Sequence, residues 1–449
     1  MANRRLSRSR GIDRICVLMV VALVGQGCAT YSDKTEAARN FAAQGSYDEA
    51  LAEFNKILGV EDIHAIPDSF GKNSALILLE RGMLHLARGD HDGSRGDLQV
   101  ADKELEMLDL SNSTAGDIGK YIYSDSSGAY KISPVERLSL NAMNILNYLA
   151  LGDLRGARVE AGRFTVMRNF MKDTDPDHAH GAMGSYLSGF VYEKLGENDP
   201  AMHHYDDALE ESLFSSLIVP ISQLAVYTEY RGKNIENLLE QSPASSEDGG
   251  GEIIVIAGVG RVPFKIPQRM PIGAAIGIVS AAITKNLAVL ERSAFKFLVF
   301  PDLVSSGSSD RTAEVRVDGT AIAMDRVTNF GASLTREYEE IKPKIITAAV
   351  SRMITRAVAA EAARAVGDEL GGFGGLVALA TEGLMVTADK PDTRSWTLLP
   401  DRVFISRTRV PAGTHQVEVS LDTGEVGWQS FTVEVPKNGF ATVVAMPLR

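Results

Sequence analysis

With 449 residues, 45% apolar and 23% charged side chains, the chain has the hydrophobic content of about two to four packed domains and excludes a disordered polymer. Its 46 Lys+Arg against 58 Asp+Glu give a net charge of −12, which excludes nucleic acid and anionic lipid as principal partners, since both attract basic surfaces. Two cysteines, Cys16 and Cys28, exclude a disulfide scaffold.

The N-terminus is set apart. Arg4, Arg5, Arg8, Arg10 and Arg14 stand against one acid, Asp13, and Ile15 to Val24 is an unbroken apolar run. A run of this length falls short of the roughly 17 to 25 residues that cross a bilayer and reads as an export signal. It leads into "LVGQGCAT", where Gly27 before Cys28 resembles the lipobox of bacterial lipoproteins, with Gly25 at the position that group fills with leucine. The resemblance implies diacylation of Cys28, and Ala29 behind it resembles an outer-membrane address facing the periplasm. Simple cleavage after Ala29 also satisfies a small-x-small rule, but Cys16 lies inside the signal, so lipidation gives the remaining thiol a use. Removing residues 1–27 leaves 41 basic against 57 acidic residues, a net charge of about −16.

From residue 28 to 239 one punctuation recurs: "AAQGSYDEA", "LARGDHDGS", "LALGDLRGA" and "KLGENDPA". Aligned on Gly45, Gly89, Gly152 and Gly196, each has a small residue five on (Ala50, Ser94, Ala157, Ala201). Nine on stands Phe54, Leu98, Ala161 or Tyr205, and twelve on Ile57, Ala101, Phe164 or Ala208. Four before stands Phe41, His85, Tyr148 or Tyr192, and seven before Ala38, Gly82, Ile145 or Gly189. A glycine that ends one helix and a small residue that lets the next cross closely predict four antiparallel helix pairs. The unit resembles the tetratricopeptide repeat, although the glycine spacings are 44, 63 and 44 rather than about 34, and spacings near 44 also suit HEAT-type pairs. The surplus between the second and third units, 111–134, is rich in Gly, Ser and Tyr and predicts either a binding loop or a surface connector.

A linker is expected at 240–251, an α+β domain at 252–395 and a β-rich module at 396–449. "IIVIAGVG" at 253–260 reads as a strand, "PIGAAIGIVSAAI" at 271–283 as a buried helix, and "AFKFLVFPDLV" and "AEVRVDGTAIAM" as strands. Residues 334–366 read as a helical stretch interrupted near Pro343. Beyond Trp396 the pattern has period two, with turns at Ala412-Gly413 and Asn438-Gly439, and "VPAGTHQVEV" resembles small envelope sandwich modules. The fold class is thus an all-α helical-repeat half followed by an α+β half ending in a β-sandwich-like module. "NYLALGDLRGARVEAGRF" at 147–164 and "DTRSWTLLPDRVFISRTRVPAG" at 392–413 resemble, with this order of parts, a functionally uncharacterised group of bacterial envelope lipoproteins. That resemblance implies the architecture and no activity.

Chemistry-bearing motifs are sparse. The sequence has no G-x-x-x-x-G-K-[ST], no H-E-x-x-H and no G-x-S-x-G, and "GVGRVP" at 258–263 lacks the third glycine of a dinucleotide loop. "DTDPDHAHG" gathers Asp173, Asp175, Asp177, His178 and His180, but the register of a calcium loop fails, which leaves a polar turn. His203-His204 predicts one solvated and one half-buried histidine. The binding candidates are Tyr148, Arg158, Glu160 and Arg163, which could hold an acidic chain terminus in a helical groove or serve as ion pairs between helices. No catalytic residue, metal ligand or cofactor is assigned. The expected function is a non-enzymatic scaffold whose partner is an envelope protein or peptide, with the membrane reached through the lipid; the alternatives are a homo-oligomeric component of an envelope or secretion assembly, and a cell-wall-acting enzyme or its activator.

Overall fold

The computed structural model describes residues 30–105, 128–176, 178, 180–241, 250–279, 297–307, 311–369, 391–421 and 427–448. The export signal with Cys28, the linker at 242–249, residues 111–127 of the tyrosine-bearing stretch and "GGFGG" at 371–375 lie outside the described residues. The chain falls into two compact units. The larger comprises Thr35–Ile266, Leu303–Ile341 and Arg394–Arg449, the smaller Met1–Lys34, Pro267–Asp302 and Lys342–Thr393.

The helical half consists of α1 (Tyr31–Gln44), α2 (Tyr47–Leu58), α3 (Ser74–Ala87), α4 (His91–Glu104), α5 (Pro134–Ala150), α6 (Leu154–Thr174), α7 (Ala182–Lys194), α8 (Asn198–Ala208), α9 (Ile218–Leu224) and α10 (Lys233–Gln241). All four recurring glycines are left-handed, with φ of 79° at Gly45, 78° at Gly89, 71° at Gly152 and 74° at Gly196. In each bend the residue after the glycine donates its N–H to the carbonyl five residues earlier: Ser46 to Phe41 (3.0 Å), Asp90 to His85 (2.9 Å), Asp153 to Tyr148 (2.8 Å) and Glu197 to Tyr192 (2.9 Å). This closes the orphan carbonyls of the first helix and turns the chain back, so one local motif is used four times. The small residues five on from each glycine are all fully buried, as the crossing requires.

The residues seven before and nine after each glycine are complementary in size. A Cβ on Gly82 would lie 2.8 Å from Leu98 Cδ2, and one on Gly189 would lie 2.5 Å from the Tyr205 ring. Ala38 with Phe54 and Ile145 with Ala161 keep the same rule of one small and one large residue. Ile57 departs from its register, being partly exposed where Ala101, Phe164 and Ala208 are buried.

Two four-stranded sheets follow. One has the order β10 (Phe440–Ala445), β1 (Gly251–Val259), β7 (Arg402–Val410), β6 (Asp325–Asn329); the other has the order β5 (Thr320–Ile322), β4 (Ala313–Val317), β8 (Gly413–Leu421), β9 (Gln429–Val435). They face each other across a core of Ile253, Val255, Ala257, Val259, Val315, Val417, Val419, Val435 and Val443. β1 runs parallel to β10 and antiparallel to β7; all nine of its residues are buried, and beyond Glu252 it reads as an apolar run from Ile253 to Val259.

The strands read as a module at 396–449 are therefore not self-contained. β1 lies between β7 and β10, and β4 pairs with β8, so the residues on either side of position 396 share both sheets. Nor do the turns at 412–413 and 438–439 close hairpins. Gly413, at φ 139°, and Asn438, at φ 57°, are corners at which the chain passes from one sheet to the other.

β2 (Phe264–Pro271) and β3 (Phe297–Val304) form a two-stranded sheet. In the smaller unit α11 (Ile272–Ile278) is mostly solvent-facing: only Ile272 and Ala275 are buried, and Gly273 and Gly277 meet open space, so this segment is not the buried helix expected. α12 (Phe330–Glu369) continues through Pro343 without a break.

Candidate functional site

α3, α5 and α7 are buried along nearly their whole length, and what covers them is the chain's own second half. Glu80, in the middle of α3, is fully buried. Its Oε1 accepts the N–H (2.8 Å) and hydroxyl (2.7 Å) of Thr397, and its Oε2 accepts the N–H of Leu398 (2.8 Å). Burial pushes its carboxyl up to about 7, opposed by those three donors. Trp396, fully buried, donates its indole N–H to Leu79 O (3.1 Å) and its backbone N–H to Glu136 Oε1 (2.8 Å). Glu136 also closes the capping box of α5 with Ser133, so a helix start and the segment leading into β7 share one carboxylate.

A second attachment is ionic. Arg407 on β7 reaches Glu252 on β1 (2.8 Å), Glu193 on α7 (2.9 Å) and the Tyr205 hydroxyl on α8 (2.9 Å), and Lys194 joins both glutamates. Burial alone would raise Glu193 and Glu252, but Arg407 and Lys194 hold both below the usual carboxylate range. The Phe190 ring lies under the Arg407 guanidinium (4.8 Å) and edge-on to Phe440 of β10 (5.1 Å). The surface that an open stack of helix pairs would offer to a ligand is thus already occupied from within.

The second helix of each pair keeps a solvent face. On α6 the exposed positions Arg155, Val159, Val166 and Asn169 recur at helical spacing, with Val159 58% and Val166 59% exposed. Of the four binding candidates, the structure brings only Glu160 and Arg163 together (2.9 Å). Glu160 is buried, which raises its carboxyl, and Arg163 also reaches Asp102 (3.4 Å), which Arg137 holds at 2.8 Å. Glu160–Arg163 is thus a pair within α6, and Asp102 ties it to α4 and α5. Tyr148 packs over Gly156, where a Cβ would meet its ring at 2.2 Å, and accepts a hydrogen bond from Gln99. Arg158 lies on the surface and pairs with Glu197 (2.9 Å).

"DTDPDHAHG" forms a polar turn between α6 and α7. His178 bonds Asp175 Oδ1 (2.8 Å) and His180 the Asp175 carbonyl (2.8 Å), while Asp177 lies outside the described residues. Of the histidine pair on α8, His203 is exposed and His204 is buried, stacked on Tyr192 with ring centres 5.2 Å apart. A cleft of about 400 Å³ is lined by Phe214, Met324, Asp325, Arg326 and Arg402, and its Asp325 is held by the N–H groups of Ser215 (3.0 Å) and Ser216 (2.7 Å).

Sequence reasoning missed Glu80, Glu136 and Arg407. The visible sign was "LLERGML" in α3, a Glu-Arg pair inside an apolar helix, which can be buried only with partners. It also missed His64, His85 and Asp90, which converge although 21 and 5 residues separate them along the chain. No protein-family model matches the sequence, and no curated protein is similar to it.

Proposed function

We propose that this chain is a lipid-anchored scaffold of the bacterial cell envelope, non-enzymatic, whose tetratricopeptide-like helix pairs bind another envelope protein or peptide through their outer faces. Acyl chains on Cys28 hold the molecule at the outer membrane, facing the periplasm, and raise its effective concentration toward other tethered proteins. The observation that carries this reading is the asymmetry of the helical layer. Inner helices α3, α5 and α7 are covered by the chain's own second half, through Trp396, Thr397 and Leu398 and through Arg407 and Phe440, while α6 presents two valines and an arginine to solvent. Among the described residues no helix is long and apolar enough to cross a membrane, which is in keeping with a lipid as the attachment.

The test places a photocrosslinking residue at Val159 or Val166 in the full-length protein in intact envelopes. The proposal expects one dominant protein adduct, lost when the other valine is changed to Glu, and an acylated Cys28 in the mass spectrum of the mature N-terminus. No adduct at either position, or an unacylated N-terminus beyond residue 28, contradicts it.

A further inference from the structure

We propose that His64, His85 and Asp90 form a binding site for a borderline divalent transition metal, with Zn²⁺ the best-suited ion, at the bend between α3 and α4. The donor set is two imidazole nitrogens and one carboxylate oxygen, the mixture such an ion takes. His64 Nε2 and His85 Nδ1 each lie 2.8 Å from Asp90 Oδ2. A tetrahedral ion about 2.0 to 2.2 Å from each donor needs donors about 3.2 to 3.6 Å apart. All three donor atoms lie within 4.8 Å of one another, and the two imidazole–carboxylate separations must each open by about 0.4 to 0.8 Å to admit the ion.

The buried member shows which atom is meant for the ion. His85 is fully buried, and its Nε2 lies 3.0 Å from the Ile63 carbonyl, an acceptor only, so Nε2 carries the proton. The other nitrogen, Nδ1, has no hydrogen-bond partner and points its lone pair at a carboxylate oxygen. Two electron-rich atoms at that distance need a positive charge between them. The bond from Nε2 to a backbone carbonyl is the outer contact by which proteins orient histidine ligands.

Neighbouring residues fit the same purpose. Asp90 caps α4 with Oδ1, which accepts Gly93 N–H (3.0 Å), and this leaves Oδ2 for the ion. Residue 93 has to lack a side chain: a Cβ there would lie 2.5 Å from Asp90 Oδ2 and 2.9 Å from His85 Nδ1. The nearby Asp97 is withheld by Arg81, which bonds both its oxygens at 2.6 Å. His64 comes from the segment between α2 and α3 and is 53% exposed, so three protein ligands leave a fourth position open to water or to a partner's side chain. The ion would pin that segment to the bend.

The experiment is titration calorimetry with Zn²⁺ on the full protein carrying Cys16→Ser and Cys28→Ser, so that no thiol competes, with Co²⁺ absorption as a second readout of nitrogen ligation. The proposal expects one ion per chain. His64→Ala and Asp90→Asn should each weaken binding by more than about 100-fold, beyond the 10- to 100-fold typical of losing an outer contact. Asn keeps the helix cap and His64 is half-exposed, so both variants are expected to fold, checked by circular dichroism. His178→Ala, at the other histidine–aspartate pair, should leave binding unchanged. No Zn²⁺ binding, or binding indifferent to His64→Ala and Asp90→Asn, overturns the proposal and leaves an imidazolium–carboxylate pair in its place.

Discussion

Gly189→Ala tests the packing rule of the helix pairs. Gly189 has ordinary helical geometry, so on intrinsic propensity alone alanine should stabilise α7 by about 1 kcal/mol. The structure predicts the opposite sign, because the new Cβ would lie 2.5 Å from both Cδ1 and Cε1 of Tyr205. That ring cannot swing aside freely: it is fully buried, and its hydroxyl is held by Glu193 (2.5 Å) and Arg407 (2.9 Å). Overpacking costs about 1 to 3 kcal/mol, and a lost hydrogen bond to a charged group adds about 1.5 to 3. Set against the propensity gain, the expected net loss is about 1.5 to 5 kcal/mol. Urea unfolding followed by far-ultraviolet circular dichroism measures it. In a Tyr205→Ala background the ring that the Cβ meets is gone, as Ala161 leaves room for Ile145 at the same register, and the same alanine should be neutral or stabilising by up to about 1 kcal/mol. An equal cost in both backgrounds, or no cost in the wild type, would refute the reasoning.

Gly162→Ala in α6, where a Cβ meets nothing within 4 Å, should stabilise the protein by about 1 kcal/mol in the same urea assay. Trp396→Ala should cost about 3 to 5 kcal/mol, through the cavity and the lost bonds to Leu79 and Glu136, and should speed proteolysis between 391 and 401. Burial, reinforced by Arg168 and His203, lowers His204 from 6.5 to about 4. A base depressed in the fold leaves stability whole above pH 6.5 and loses it as pH falls toward 4, here by at most about 3 kcal/mol, and His204→Phe should flatten that slope in pH-dependent unfolding.

The four glycine bends were legible because they are local. A left-handed residue and a carbonyl bonded from five residues on are settled within one turn of chain, and the buried small residues at 50, 94, 157 and 201 keep the same register. The strands were legible as strands for the same reason, through period two in β8 and an apolar run in β1. Their partners were not. Nothing in 251–259 announces that Phe440–Ala445 will lie parallel to it, because register between segments some 190 residues apart depends on faces formed only after folding. The candidate site suffered likewise. Glu160 and Arg163 were readable as an i,i+3 pair, but their tie to Asp102 was not, and Arg158, beside them in sequence, takes Glu197 instead.

The inner helix faces are closed by the chain's own second half, which leaves only the outer faces to a partner. Native-state hydrogen exchange on the protein with Cys28→Ser tests it most directly. Core amides of α3, α5 and α7 should exchange at the rate of those in β1 and β7, through one common unfolding event, and Trp396→Ala should accelerate both sets alike. Inner helices that open and exchange while β1 and β7 stay protected would contradict it.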